Sequence, residues 1–297
     1  MNKAPQPGNK SYFGTDFERV FVALLALATA AMLVYLAIAG PLFYGPIEYR
    51  THPDVNNQLV AQDAVNMFFL APLLLIGAWG LLHRKRYARY FLISTPLFLM
   101  YYAISYMIGW EWMAPQYTGN SHLWFFHFLF VLISALVIML YGLHIFPAKA
   151  KARFGKTGLR MYSAVYTVFL LMFAAMWCKE IFEVFNTGTA RGYDLSPTAF
   201  WLVRAFDLGF SVPLGFISLY LLWTRPESTL AIQMLFYGFF VTMSVVVNAM
   251  SLMMYLRHDK AFDAGSSVVF IMLMVIVTAG LVYILKGHGR KKDKGQT

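Results

Sequence analysis

Charge is scarce in this chain. Asp, Glu, Lys and Arg together make up 13% of its 297 residues, against about 25% in an ordinary soluble domain. Cysteine is scarcer still. Cys178 stands alone, so no intrachain disulfide can staple the fold, and within an apolar run its thiol reads as a small packing group. There is no glycine-rich phosphate loop, no His-Glu-x-x-His, no paired-cysteine metal spacing and no nucleophile elbow. These absences exclude a soluble domain, a disulfide scaffold and a disordered chain. They leave no basis for naming a catalytic chemistry or a cofactor, and an enzyme is not the expectation. No short apolar core followed by a small-residue cleavage site precedes the first long helix, so no cleaved signal peptide is expected.

What the chain does have is apolar length. Hydrophobic residues make up 59% and aromatics 18%, and the mean hydropathy is +0.58. A spanning helix needs about 20 largely apolar residues. Eight runs qualify: 18–39, 60–82, 88–109, 122–143, 161–185, 198–223, 229–255 and 266–286. They are continuous rather than alternating, which excludes β-barrel strands, and only helices then satisfy the backbone in lipid. The expected fold is all-α: a polytopic bundle of eight transmembrane helices. Its expected divisions are an N-terminal tail 1–17, a four-helix unit 18–146, a basic linker 147–160, a second unit 161–286 and a basic tail 287–297. The segment 40–62, rich in Gly, Pro and Asn, reads as a long loop.

The charges that exist are sorted. Of 24 Lys and Arg, 18 fall on one side of the spans, among them Lys3, Lys10 and Arg19, the run Arg84, Lys85, Arg86 and Arg89, and the cluster Lys149 to Arg160. Ten of the 14 acids fall on the other side. The excess of Lys and Arg marks the cytoplasmic face, so both termini are expected in the cytoplasm and the protein in the cell membrane. A net charge of +10 would invite nucleic acid in a compact soluble domain. Here the basic residues are spread between apolar segments. Their expected partners are the bilayer and anionic lipid headgroups at the cytoplasmic loops.

Residues 61–84 align with 202–225 without a gap. Pro72 meets Pro213, Ile76 meets Ile217, Leu81 meets Leu222 and Arg84 meets Arg225. The expected architecture is therefore two parallel four-helix repeats related by an axis along the membrane normal, with a site at their interface. In this register Asp63 lies opposite Arg204 and Asn66 opposite Asp207, so each helix presents two polar groups one turn apart on one face: Asp63 with Asn66, and Arg204 with Asp207.

The stretch QDAVNMFFLAPLLL, the turn RKRYARY and YYAISYMIG, with RAFDLGFSVPLGFISLYLLWTRPES later, resembles a group of uncharacterised bacterial multi-span proteins. The resemblance covers most of 58–109 and 197–240. It implies an eight-helix membrane protein with acids at Asp63 and Asp207, and it implies no activity.

Ionisable groups at membrane depth cost about 2.5–3.5 kcal/mol each at a helix centre, so their clustering carries meaning. Asp63, Glu111, Lys179, Glu180, Glu183, Arg204 and Asp207 converge on the extracytoplasmic half. The candidate ligand-binding residues are Asp63, Asn66, Lys179, Glu180, Arg204 and Asp207. Arg204 is expected to neutralise Asp63, and Lys179 to neutralise Asp207 or Glu180. Such a set is either a paired ion cluster that fixes helix register or an outward-facing pocket for a small solute or ion.

His122, His127 and His144 on the fourth run, with His83 and His258, bring haem to mind. Only His83 with His144, or His127 with His258, could bridge facing helices. Tyr101, Tyr102, Ser105 and Tyr106, and Ser244 with Asn248, line a polar path or join helices. Trp110, Trp112 and Trp124 mark the outer interface, and Trp79 and Trp223 the inner one. Three functions remain: a transporter or channel-like protein for a small cation or polar solute, a non-catalytic component that binds a partner or lipid, and a haem protein or other membrane enzyme.

Overall fold

The structure is a computed structural model that describes residues 12–109, 118–190, 192–194, 196–260 and 262–289. Expectations that rest on Lys3, Lys10, Trp110, Glu111, Trp112, Arg191 and the tail 290–297 lie outside the described residues. About 81% of the chain is helical, with no strand among the described residues.

Eight helices are long and apolar enough to cross a membrane: α1 Asp16–Ala39, α2 Asn56–Leu82, α3 Ala88–Gly109, α4 Ser121–Ile145, α5 Lys156–Thr187, α6 Pro197–Thr224, α7 Leu230–Leu256 and α8 Ala264–His288. All eight expected runs are present. The largest differences lie at two N-terminal ends, where α2 starts at Asn56 rather than 60 and α5 at Lys156 rather than 161. Hydropathy misses these turns because they are polar: NNQL opens α2 and KTGLR opens α5. Large apolar side chains such as Phe68, Phe126, Met172 and Phe210 are exposed on the helices. On helices of this length that surface implies a lipid bilayer around the bundle, and the chain is a multi-pass membrane protein.

Helix ends are secured by local chemistry. Thr15 and Glu18 form a reciprocal capping box at the start of α1, and Asp263 accepts from Gly265 N (3.3 Å) and Ser266 N (2.8 Å) at the start of α8. Both satisfy orphan N–H groups of a first turn. Arg19 donates through Nη1 to the carbonyls of Leu81 and Leu82, 3.0 Å each, so a cation from α1 closes the negative end of α2. Asp16 pairs with Arg84 at 2.7 Å beside it. This end of the bundle, with Arg84 to Arg89, is called the basic end below, and the opposite end the acidic end.

Two helices are interrupted at the same place in their sequences. In α2 an α-helix Asn56–Val65 gives way to a π turn Asn66–Leu70 and resumes at Ala71–Leu82. In α6 the sequence of states repeats: Pro197–Phe206, a π turn Asp207–Ser211, then Val212–Thr224. Laid in the register of 61–84 on 202–225, the π turns coincide, and Pro72 and Pro213 each follow one residue into the resumed helix. A proline cannot donate the backbone hydrogen bond, and the π turn absorbs the mismatch.

The partner pairs α3 and α7 do not match in this way. α3 breaks at Ser94 and Thr95 ahead of Pro96 and ends in a π turn Ser105–Gly109. α7 runs unbroken from Leu230 to Leu256.

α7 is the inner post of the bundle, with 67% of its apolar window buried against 17% for α5 and for α8. It packs on α2, α3, α6 and α8. Its Gly238 meets the backbone of Ser94 where α3 breaks, and a β-carbon there would overlap Ser94. Asn248 donates at 2.9 Å to the Phe270 carbonyl of α8, so the Ser244 and Asn248 pair joins helices.

Candidate functional site

The six candidate residues separate into two clusters, one on α2 and one between α5 and α6. Both lie about 10–15 Å along their helices from the acidic end, at the 1.5 Å rise per residue.

The first cluster is centred on Asp63, which is fully buried. Its Oδ2 accepts from Leu42 N at 3.4 Å and rests against Gly40, where an added β-carbon would overlap it. Gly40 caps the C-terminus of α1, so the carboxyl sits beside the negative end of a helix dipole. Asp63 Oδ1 has no hydrogen-bond partner among the described residues. One turn on, Asn66 accepts from Gln62 Nε2 at 2.8 Å, and its own Nδ2 is unpartnered.

α3 covers this face. Tyr102 lies within bonding reach of the Asn66 amide, but no well-aligned hydrogen bond reaches its hydroxyl or that of Ser105 among the described residues. The chain between α1 and α2 turns back to add Tyr49, whose ring meets Tyr106 edge-on at 5.1 Å, while Tyr106 lies 4.5 Å from Tyr102. Burial, and then the neighbouring Tyr102, Asp63 and Tyr106, hold the Tyr49 hydroxyl well above the usual phenol range. That hydroxyl too is unpartnered. Asp63 forms no ion pair among the described residues.

In the second cluster Arg204 is paired, while Asp207 forms no ion pair and Arg204 Nε has no hydrogen-bond partner among the described residues. Arg204 forms an ion pair with Glu180 of α5, and Arg204 Nη1 donates to the Phe200 carbonyl at 3.2 Å. Its guanidinium lies over the rings of Trp177, 4.3 Å from the centroid, and Phe200, 3.6 Å. Asp207, one turn on, accepts from Ser211 Oγ at 3.3 Å. The expected pairing of Arg204 with Asp63 is therefore not made, because Glu180 on the adjacent α5 reaches the guanidinium first. Lys179 is exposed and makes no ion pair among the described residues. It precedes Glu180 by one residue, about 100° around the helix, and so points away from the cluster that Glu180 joins.

α3 stands between the two clusters. Tyr102 and Tyr106 lie near Asp63, and Ser105 stands one turn from Tyr102. Tyr101, next along the helix, lies 5.2 Å from Phe206 of α6 and close to Asp207 and Arg204.

Residue patterns left Gly40, Tyr49, Gln62, Trp177 and Phe200 out of the site. For Gln62 a signal existed in its i, i+4 spacing to Asn66. Tyr49 and Gly40 carry none, since a loop residue enters a helix bundle only through the path of the chain.

The histidines are dispersed. His83 stacks on Trp79 at 4.0 Å, and His127 packs on Tyr35 at 5.4 Å. His288 lies 3.0 Å from the carbonyls of both Ile284 and Pro226. No group of three or more His, Cys, Asp or Glu able to hold a metal occurs among the described residues.

The class that fold and site define is a multi-pass membrane protein with a buried polar centre. No family model, no curated protein and no solved structure matches this chain.

Proposed function

We propose that this protein takes a small cation or polar solute at the Asp63 cluster and acts as a transporter or channel-like protein. One observation carries the reading: a fully buried carboxyl that, among the described residues, has an unpartnered oxygen and no counter-cation and lies with further orphaned polar atoms. Buried polar groups are nearly always satisfied, and each exception calls for an explanation. A ligand that supplies the missing contacts is that explanation. The interrupted α2 supports it, since broken helices near mid-membrane are where transporters place their sites. The coincident π turns of α2 and α6 support the further proposal that helices α1–α4 and α5–α8 are parallel repeats.

In this reading the acidic end is extracytoplasmic, both termini lie in the cytoplasm of a cell-membrane protein, and the basic loops lie against anionic headgroups. Single cysteines introduced on a Cys178→Ser background test the orientation. An impermeant maleimide should label the 40–55 loop and spare 147–155, and the reverse pattern would discard it.

The function itself is tested by thermal unfolding of the detergent-purified chain against a panel of ions and small polar solutes. At least one should stabilise the wild type and leave Asp63→Asn unmoved. A panel that moves neither protein would reject the reading.

A second reading, a non-catalytic component that binds a partner protein or lipid, draws on α5 and α8. Each has only 17% of its apolar window buried within the chain.

A further inference from the structure

We infer that the Asp63 cluster is a site for one monovalent alkali-metal cation, held by Asp63, Asn66, Tyr49, Tyr102 and Ser105. This rests on the proposed function and narrows it to a ligand class.

The argument begins with charge. The cluster carries one carboxylate and, among the described residues, no basic partner. The other orphaned groups are three hydroxyls and one amide. A buried charge at low dielectric demands compensation. One monovalent cation brings the site to neutrality, whereas a divalent ion would leave a net buried charge. The C-terminal end of α1 at Gly40 adds a negative dipole, which favours a cation over an anion or a second carboxylate.

The donor set agrees. Carboxylate, hydroxyl and amide oxygens are hard ligands suited to hard cations, and no thiol, thioether or imidazole belongs to the cluster. The Gln62 and Asn66 amides bond each other, and that bond is made equally well with both amides turned over. Asn66 Nδ2 then donates to Gln62 Oε1, and the Asn66 carbonyl oxygen faces the site. Five oxygens are then available: one each from Asp63, Asn66, Tyr49, Tyr102 and Ser105.

Two rival occupants satisfy less. A proton on Asp63 neutralises the carboxyl but leaves the Tyr49, Tyr102 and Ser105 hydroxyls as they are. A water can bridge them but leaves the charge uncompensated.

The path is consistent with the position. Asp63 lies about 10 Å along α2 from the acidic end, on the side of the chain that holds ten acids, Asp63 among them, against six Lys and Arg. Such a face concentrates cations at its surface.

The test uses the full chain purified in detergent at pH 8. Thermal unfolding is followed as choline chloride is replaced by sodium, lithium or potassium chloride at constant ionic strength. At least one alkali cation should raise the wild-type Tm by roughly 5 °C at a hundredfold excess over its Kd, and choline should not. Asp63→Asn should abolish the shift. Tyr102→Phe and Ser105→Ala should each raise the cation concentration at half-effect several-fold, and they carry the test if Asp63→Asn does not fold. Equal Tm values in choline and all three alkali salts would overturn the inference. So would a cation shift that survives Asp63→Asn or keeps its midpoint in both hydroxyl variants. If a neutral solute or acidification stabilises the wild type but not Asp63→Asn while alkali cations do nothing, the cation is overturned and the proposed function stands. If nothing stabilises the wild type, both fall.

Discussion

Asp63 and Arg204 occupy the same position in two stretches that align without a gap, each one turn ahead of a π turn that a proline follows. Their surroundings solve opposite problems. Around Arg204, α5 supplies Glu180, Trp177 and, through α6, Phe200. The cation is paired, stacked and hydrogen-bonded. Around Asp63, the chain after α1 supplies the Leu42 N–H and the Tyr49 hydroxyl and α3 the Tyr102 hydroxyl, and one carboxyl oxygen has no partner among the described residues. The difference separates two meanings of a membrane-depth charge. A charge with its counter-ion in place holds helices together. A charge without one leaves room for something else to bind.

The comparison breaks first at Arg204. Arg204→Met strands Glu180 in a site where its side chain is only 18% exposed. We expect a loss of about 3–5 kcal/mol, the usual cost of removing one partner of a buried pair. Arg204→Met with Glu180→Gln should recover most of it. Reversible unfolding in mixed micelles gives both numbers, and equal losses for the single and double variants would show that the pair does not hold α5 to α6.

Next in size is Gly40→Ala. Its β-carbon would overlap Asp63 Oδ2 and lie 2.9 Å from the Leu36 carbonyl. Overpacking of this kind costs about 1–3 kcal/mol. A double-mutant cycle with Asp63→Ala should show positive coupling, because the second change removes the atom that is struck. Strict additivity would place Asp63 away from Gly40.

Asp63→Asn itself should behave unlike Arg204→Met. In buffer that contains only choline salts we expect no loss, and a gain of up to about 1 kcal/mol, because a buried charge without a partner is removed. A loss as large as that of Arg204→Met would make the two clusters alike and erase the contrast.

The smallest effect belongs to Ser211→Ala, which removes the 3.3 Å bond to Asp207. About 0.6 kcal/mol is expected, the average for a hydrogen bond between side chains in a membrane bundle. A loss several times larger would make Asp207 as dependent on its partner as Arg204 is on Glu180.

Much of the fold was legible because hydropathy is a one-dimensional property. A span must be apolar over its whole length, and all eight were found, with the largest end differences where polar residues open a helix, at Asn56 and Lys156. The shared prolines of α2 and α6 pointed to a repeat. They did not reveal the two π turns, which follow from how each helix relieves the missing N–H. Tyr102, Ser105 and Tyr106 were visible as a polar face of α3. Whether that face lines a site or joins helices was undecided, since helix rotation about its own axis leaves no mark on composition.

The residue sequence by itself determined the number of spans, the sorting of charge to the two ends and the positions at which polar groups enter the apolar interior. Each depends on the local balance between burying a side chain and hydrating it. Only the tertiary structure decided the partners. Arg204 could have met Asp63, and instead meets Glu180, because α5 packs on α6 and Glu180 stands on the facing side. Asp63 forms no ion pair among the described residues because Arg204 is taken by Glu180, and it acquired Tyr49 and Gly40 because the chain after α1 folds back over α2. Pairing at a few ångströms depends on the rotation and neighbourhood of whole helices, and those are set by packing across the bundle rather than by any one segment.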